Sequence, residues 1–394
     1  MEKVETKELD VAFKATFSQG FFATVTFSTL LVHTPILFKL IEMTEFEYAL
    51  GFVFFGIFNV LTIQLTTRFL LPKIGSTNCL ILARTTYAFI PFLIFYCSSY
   101  NAYIILTIFW GITIGIQAPN LFTQVAIIEE KTKKILNPIF KSSFSIGFII
   151  GAGISSIGMG LEINPLFTTF FIGCLIFLSS ITMSLFGLKK KYDILENNPR
   201  FILPNFKIFM FASINMLIFA CMGIIVQWSP LWLVNDLKAP LYMVGSIVIL
   251  FNLGEIISNL FGSKLINFYN EKVVGPYFAM FGSIILILSV ISQNIYIIYA
   301  AVILFGFLVS NVMPIVIRQS IKHSSHPIPV TISHVTSISF TGIIFGPALV
   351  GLSAEKYGLT FNMYILGFIM FSIATLMLIL MNNTYIKKQT KTTS

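Results

Sequence analysis

The sequence predicts an all-α integral membrane protein, with twelve transmembrane helices arranged as two six-helix bundles and both termini on the cytoplasmic side. Three observations carry that expectation. Of 394 residues, 56% are hydrophobic and only 10% are charged, where a soluble chain carries about 25% charged residues. Apolar runs of about 20 residues, enough to cross about 30 Å of hydrocarbon, recur along the whole length. Several prolines and glycines of the first half also recur 195 positions later, as Pro35 does at Pro230.

The elements follow in order. MEKVETKELD is polar, and the first apolar run, near 14–38, is too long for a signal-peptide core. No small-residue cleavage pattern follows it, so it reads as a retained helix one. Thr44 and Glu47 have capping-box spacing ahead of helix two, 47–69. Helices three to six are expected near 77–97, 102–126, 140–160 and 166–188. The longest polar connection, KKKYDILENNPRFILPN, then divides the chain. This gives a first half at 1–188, a linker at 189–206 and a second half at 207–394. Helices seven to twelve are expected near 207–233, 241–265, 274–293, 296–318, 330–353 and 360–382.

Charge sets the orientation. With both termini inside, the external loops hold only Lys39, Lys238 and Lys356 of 25 basic residues. The cytoplasmic segments take the others, including Lys131, Lys133, Lys134 and the run Lys189-Lys190-Lys191, as the positive-inside rule requires. The net charge of +9 therefore faces anionic lipid and implies no nucleic-acid partner. Cys79, Cys97, Cys174 and Cys221 are scattered singly, forming neither a metal pair nor a disulfide framework.

The repeat is in register at four points. Pro35 maps to Pro230, Pro119 to Pro314, Gly147 to Gly342 and Gly151 to Gly346. Such a recurrence marks a parallel repeat of two homologous halves. Gly147-x-x-x-Gly151 and Gly342-x-x-x-Gly346 have the small-residue spacing that lets helix backbones approach in lipid. They are expected to form close-packing faces on helices five and eleven, with Pro347 beside them, where the halves slide and seal. GAGISS at 151–156 lies inside a membrane helix with no strand before it, which excludes a dinucleotide loop.

Twelve helices, a six-plus-six repeat and a basic central loop together resemble the major facilitator superfamily. GIIVQWSPLWL, Gly223 to Leu233, resembles the G-x-x-x-D-W-S-x-x-Y-L stretch of one bacterial branch. FKSSFSIG, Phe140 to Gly147, is similar to that branch's F-H-G-x-F-S-x-G, and GIIFGPALVG from Gly342 is similar to its glycine–proline stretch. The sequence departs from the superfamily pattern at Pro72, where an Asp is expected in the loop after helix two, with Lys73 and Gly75 retained. Asn267 and Asn270 take the equivalent Asp and Gly positions of the second half. Met222 and Gln227 replace the branch's acids in helix seven, and Lys141 replaces its His.

These replacements leave Glu255 as the only acid expected near mid-membrane, in LFNLGEIISNLFG. Asn252, Ser258 and Asn259 share its helical face, and an intramembrane acid is by default a functional residue. Glu255, with Asn252 and Asn259, is the candidate proton-coupling group; the alternative is a protonated Glu held structurally by the two asparagines. Helix four carries Trp110, Gln117 and Gln124 at seven-residue spacing, with Asn120 between. These four, with Gln19 on helix one and Asn311 on helix ten, are candidates for a substrate cavity; the alternative is interhelical hydrogen bonding. Thr26 and His33 continue the line of Gln19. Arg84 is expected to reach the cytoplasmic face, and Trp228 and Trp232 suit an aromatic belt.

The expected function is secondary active transport of a small solute by alternating access, coupled to protons, in a bacterial inner membrane and as a monomer. An uncoupled facilitator and a non-transporting receptor or assembly protein are the alternatives. No catalytic constellation, metal site or cofactor motif is present in the sequence.

Overall fold

The computed structural model describes residues 2–134, 136–192, 205–324 and 328–392, and these are helical and strand-free. Residues 193–204, most of the expected linker, lie outside them. Eleven helices are long and apolar enough to cross a membrane. The longest, Ile338–Met381, holds two crossings, parted at Gly358, whose φ of 78° and ψ of 167° suit a residue without Cβ. That makes twelve crossings among the described residues.

Local chemistry explains the helix ends. Thr44 Oγ1 accepts from Glu47 N at 3.2 Å, and Glu47 Oε2 accepts from Thr44 N at 2.9 Å, the reciprocal box that starts helix two at Glu45. Helix one runs Glu2–Val32, breaks at His33 and resumes as Thr34–Ile41, with Pro35 in its new first turn. Proline has no N–H to continue the ladder. Helix three breaks the same way between Tyr87 and Ile90, ahead of Pro91, and helix ten between Val309 and Val312, ahead of Pro314. Helix one also begins earlier than expected. Its polar turns are tied outside the apolar zone by Asp10–Lys134 at 2.7 Å and Glu8–Lys189 at 3.0 Å.

Two compact units emerge: Met1–Phe201 with Lys238–Ile249, and Ile202–Leu237 with Leu250–Ser394. In the first, helix five, Asn137–Gly160, lies along helix one. A methyl on Gly147 would overlap the Phe21 carbonyl, and one on Gly151 would come within 2.5 Å of the Val25 carbonyl. Helix four, Tyr100–Thr132, meets helix two with Gly111 on the backbone of Phe55. Lys238–Ile249 joins this unit, with Ser156 Oγ accepting from Gly245 N at 3.0 Å.

The second unit repeats the pattern. Gly342 sits on the carbonyl of Met216, Gly346 would place a methyl 2.8 Å from Ala220, and Gly306 sits on the carbonyl of Phe251. Partners as well as glycines therefore obey the offset: 342 − 147 and 216 − 21 both equal 195. These closest approaches lie inside each unit, between helices five and one and between eleven and seven. Dispersion and close backbone packing are what hold helices together in lipid, where no hydrophobic drive remains.

The aromatic-belt expectation is corrected. Trp228 and Trp232 are fully buried. Trp232 Nε1 donates to Thr360 Oγ1 at 2.9 Å, and Asp236 accepts from Thr360 N and Oγ1 at 2.7 Å each. The end of helix seven thus caps the start of helix twelve.

Candidate functional site

The polar core of the first unit is built around Arg84. It lies in helix three two turns after Ser76, and it is fully buried, which corrects the expectation that it reaches the cytoplasmic face. Gln19 of helix one and Tyr87 of its own helix supply the acceptors that hold the side chain inside. Its Nε donates to Gln19 Oε1 at 2.6 Å, its Nη2 to the Gln19 carbonyl and its Nη1 to the Tyr87 hydroxyl. Gln19 Nε2 then donates to the Ser179 carbonyl of helix six at 3.0 Å. The Tyr87 hydroxyl also meets Thr26 of helix one and Gln117 of helix four. One connected network thus joins helices one, three, four and six.

All three acceptors of Arg84 are neutral, and among the described residues no carboxylate forms an ion pair with it. Burying a charge costs several kcal/mol even after relaxation. Neutral hydrogen bonds offset that only in part.

Helix four places three buried polar atoms without partners next along this network. They are Trp110 Nε1, Gln117 Nε2 and Asn120 Oδ1. Buried polar atoms in folded proteins are nearly always hydrogen-bonded, so each exception calls for a cause. Trp110 stands in an aromatic box, with Phe27 at 5.3 Å and Phe55 at 5.9 Å between ring centroids. Its indole N–H finds no acceptor among those hydrocarbons. Asn120 follows Pro119, and its Nδ2 bonds the Ile116 carbonyl at 2.6 Å. That bond pins the amide and leaves Oδ1 without a donor. Gln117 meets Tyr87, and its Nε2 is left over.

The remaining sequence candidates fall elsewhere. Both ends of the Gln19 amide are used, so Gln19 positions Arg84. Gln124 is saturated as well, donating to Ser76 and Thr77 at 3.0 and 2.9 Å and accepting from Thr16 at 2.7 Å. It fastens helices one, three and four together. In the second unit, Asn311 donates to Ser258 at 2.7 Å and lies against Gly262, while Ser310 donates to Asn259 at 3.0 Å. These bonds join the break in helix ten to the polar face of helix eight. Glu255, on that face, is partly exposed, and Asn252 is buried.

Three groups escaped the sequence reading. Tyr87 looked like one more aromatic in an apolar helix, and only its place three residues after Arg84 signalled it. Gln227 and Ser229 on helix seven are buried with Oε1 and Oγ unpartnered, and Gln227 had drawn notice only as a neutral replacement for an acid. Glu271, directly after Asn270, accepts from Arg318 at 3.0 Å, Lys322 at 2.9 Å and Gln319. The expected loop pattern drew attention to the Asn, one position too early.

No family model matches the chain. It is 25% identical over 308 residues to an uncharacterised MFS-type transporter of Yersinia pestis, covering 77% of this chain and 76% of the relative. Among solved structures it is similar to the nucleoside transporter NupG, with a TM-score of 0.72 and 13% identity over 94% of this chain and 99% of that one. The human organic anion transporter MFSD10 follows at a TM-score of 0.66 and 12% identity, over 93% and 99%. A bacterial homologue of the human lysosomal transporter Spinster gives 0.66 and 10%, over 96% of each chain. Fold and sequence similarity agree: the chain has the fold of these transporters, resembles an MFS-type transporter over about three quarters of its length, and is a multi-pass membrane protein.

Proposed function

We propose that the protein is a secondary active transporter that moves a small solute by alternating access, coupled to protons through Glu255. The observation that carries the solute reading is the set of unpartnered buried atoms on helix four, Trp110 Nε1, Gln117 Nε2 and Asn120 Oδ1. A purely structural polar residue satisfies itself inside the protein, as Gln19 and Gln124 do. A solute-binding residue leaves its hydrogen bond for the solute to complete. The fold neighbours are named for nucleosides and organic anions, so the fold by itself selects no solute.

Coupling through Glu255 is supported by its position on a polar face of helix eight that is otherwise asparagine and serine. A bacterial inner membrane and a monomeric state complete the reading. The test is a thermal-shift screen of the purified protein against nucleosides, sugars, amino acids, organic acids and cationic drugs, at acidic and neutral pH. The expected result is stabilisation by one class that disappears in Gln117→Leu. Hits that survive in both Gln117→Leu and Trp110→Phe would move the solute off helix four.

A further inference from the structure

We infer that the solute is a small organic monoanion, a carboxylate on an apolar or aromatic body, recognised through the charge of Arg84. This rests on the helix-four site and names its substrate class. The guanidinium has five N–H groups in a fixed fork. Three are donated to Gln19 and Tyr87, which leaves two. Among the described residues, the buried core around it thus carries one positive charge with neutral partners only.

The helix-four atoms point to the same chemistry. Two of the three unpartnered groups, Trp110 Nε1 and Gln117 Nε2, are donors. Gln117 is joined to the cation through the Tyr87 hydroxyl. The unpartnered amide N–H therefore lies one hydroxyl group away from the buried cation, within reach of its positive potential. In a low-dielectric interior such a field acts strongly on an entering charge. The site therefore favours acceptors and negative charge over donors and cations.

The charge count selects among anions. One buried cation balances one negative charge, whereas a phosphate monoester dianion would carry an uncompensated charge into the membrane core. The aromatic box of Trp110, Phe27 and Phe55 supplies an apolar wall for the rest of the molecule. A carboxylate on an aromatic or branched apolar body meets both demands.

The test uses the full chain, purified in detergent, and matched acid and amide pairs: benzoate with benzamide, phenylacetate with phenylacetamide, and nicotinate with nicotinamide. Adenosine and glucose serve as neutral probes. The expected result is a rise in unfolding midpoint with acids and none with their amides. Gln117→Leu and Tyr87→Phe should each weaken acid binding about tenfold, the scale of one hydrogen bond in a charged network. Both variants leave the bonds between Arg84 and Gln19 in place, so neither depends on removing the buried cation. Arg84→Gln should abolish acid binding, and Arg84→Lys should restore part of it.

Stabilisation by no acid, or equally by acids and amides, would overturn the inference. Stabilisation by adenosine or glucose alone, lost in Gln117→Leu, would also overturn it while leaving the helix-four site standing. Acid binding unchanged in Gln117→Leu, Tyr87→Phe and Trp110→Phe would remove the site and the inference together.

Discussion

Gly147 rests on the main-chain carbonyl of Phe21, with no room for a side chain between helices five and one. Gly342 rests in the same way on Met216. An alanine at either place must push two helix backbones apart, because the obstructing atom belongs to the main chain and has no rotamer to change. Gly153, on the same helix as Gly147, has nothing within 4 Å of an added Cβ. Gly147→Ala and Gly342→Ala are expected to lose about 1–3 kcal/mol, the usual range for overpacking. Gly153→Ala should be neutral or slightly stabilising, since alanine is the better helix former. Thermal unfolding in detergent checks all three.

Asp236 holds the first turn of helix twelve through two 2.7 Å bonds to Thr360. Asp236→Ala should cost about 1 kcal/mol, the value of a lost N-cap. Asp236→Asn, which keeps an acceptor, should recover most of it. Proteolysis at the turn around Gly358 gives a local readout beside the unfolding midpoint.

Gln117→Leu separates stability from function. A buried donor without a partner costs free energy, and an apolar replacement of similar size removes that cost. The variant should unfold at the same temperature as the parent or a higher one, while solute-induced stabilisation and uptake fall by about tenfold or more. Gln124→Leu should show the opposite pattern. Its amide serves three protein partners, so the unfolding midpoint should drop.

Glu255→Gln keeps shape and hydrogen bonding but cannot take up and release a proton. Proteoliposomes carrying the variant should lose accumulation driven by an imposed pH gradient and retain exchange of solute at equal concentrations. Unchanged gradient-driven uptake would make Glu255 a structural residue and the protein an uncoupled facilitator.

Much of the architecture was legible because lipid leaves the backbone few choices. A segment crossing hydrocarbon must satisfy every N–H and C=O internally, so apolar runs of sufficient length translate directly into helices. The capping box at Thr44 and Glu47 and the glycine repeat were readable for the same kind of reason, since each is a local backbone requirement, whereas the breaks ahead of Pro35, Pro91 and Pro314 appear only in the structure. The candidate site was less legible. Trp110, Gln117 and Gln124 share one spacing on one helix, yet the first two leave donors unpartnered and the third is saturated. Periodicity reports which residues share a face, not what stands opposite it.

The sequence by itself determined the membrane class, the twelve helices and the two-fold repeat, because composition, segment length and backbone-restricting residues are properties of the chain alone. Tertiary structure decided the fate of individual side chains. Arg84 could in principle have extended to water. Helix one instead sets Gln19 against its donors, Tyr87 of its own helix takes another, and helix six holds Gln19 in place through the Ser179 carbonyl. Whether a polar group in lipid is saturated or left open depends on which helices become its neighbours, and that is settled only when they pack.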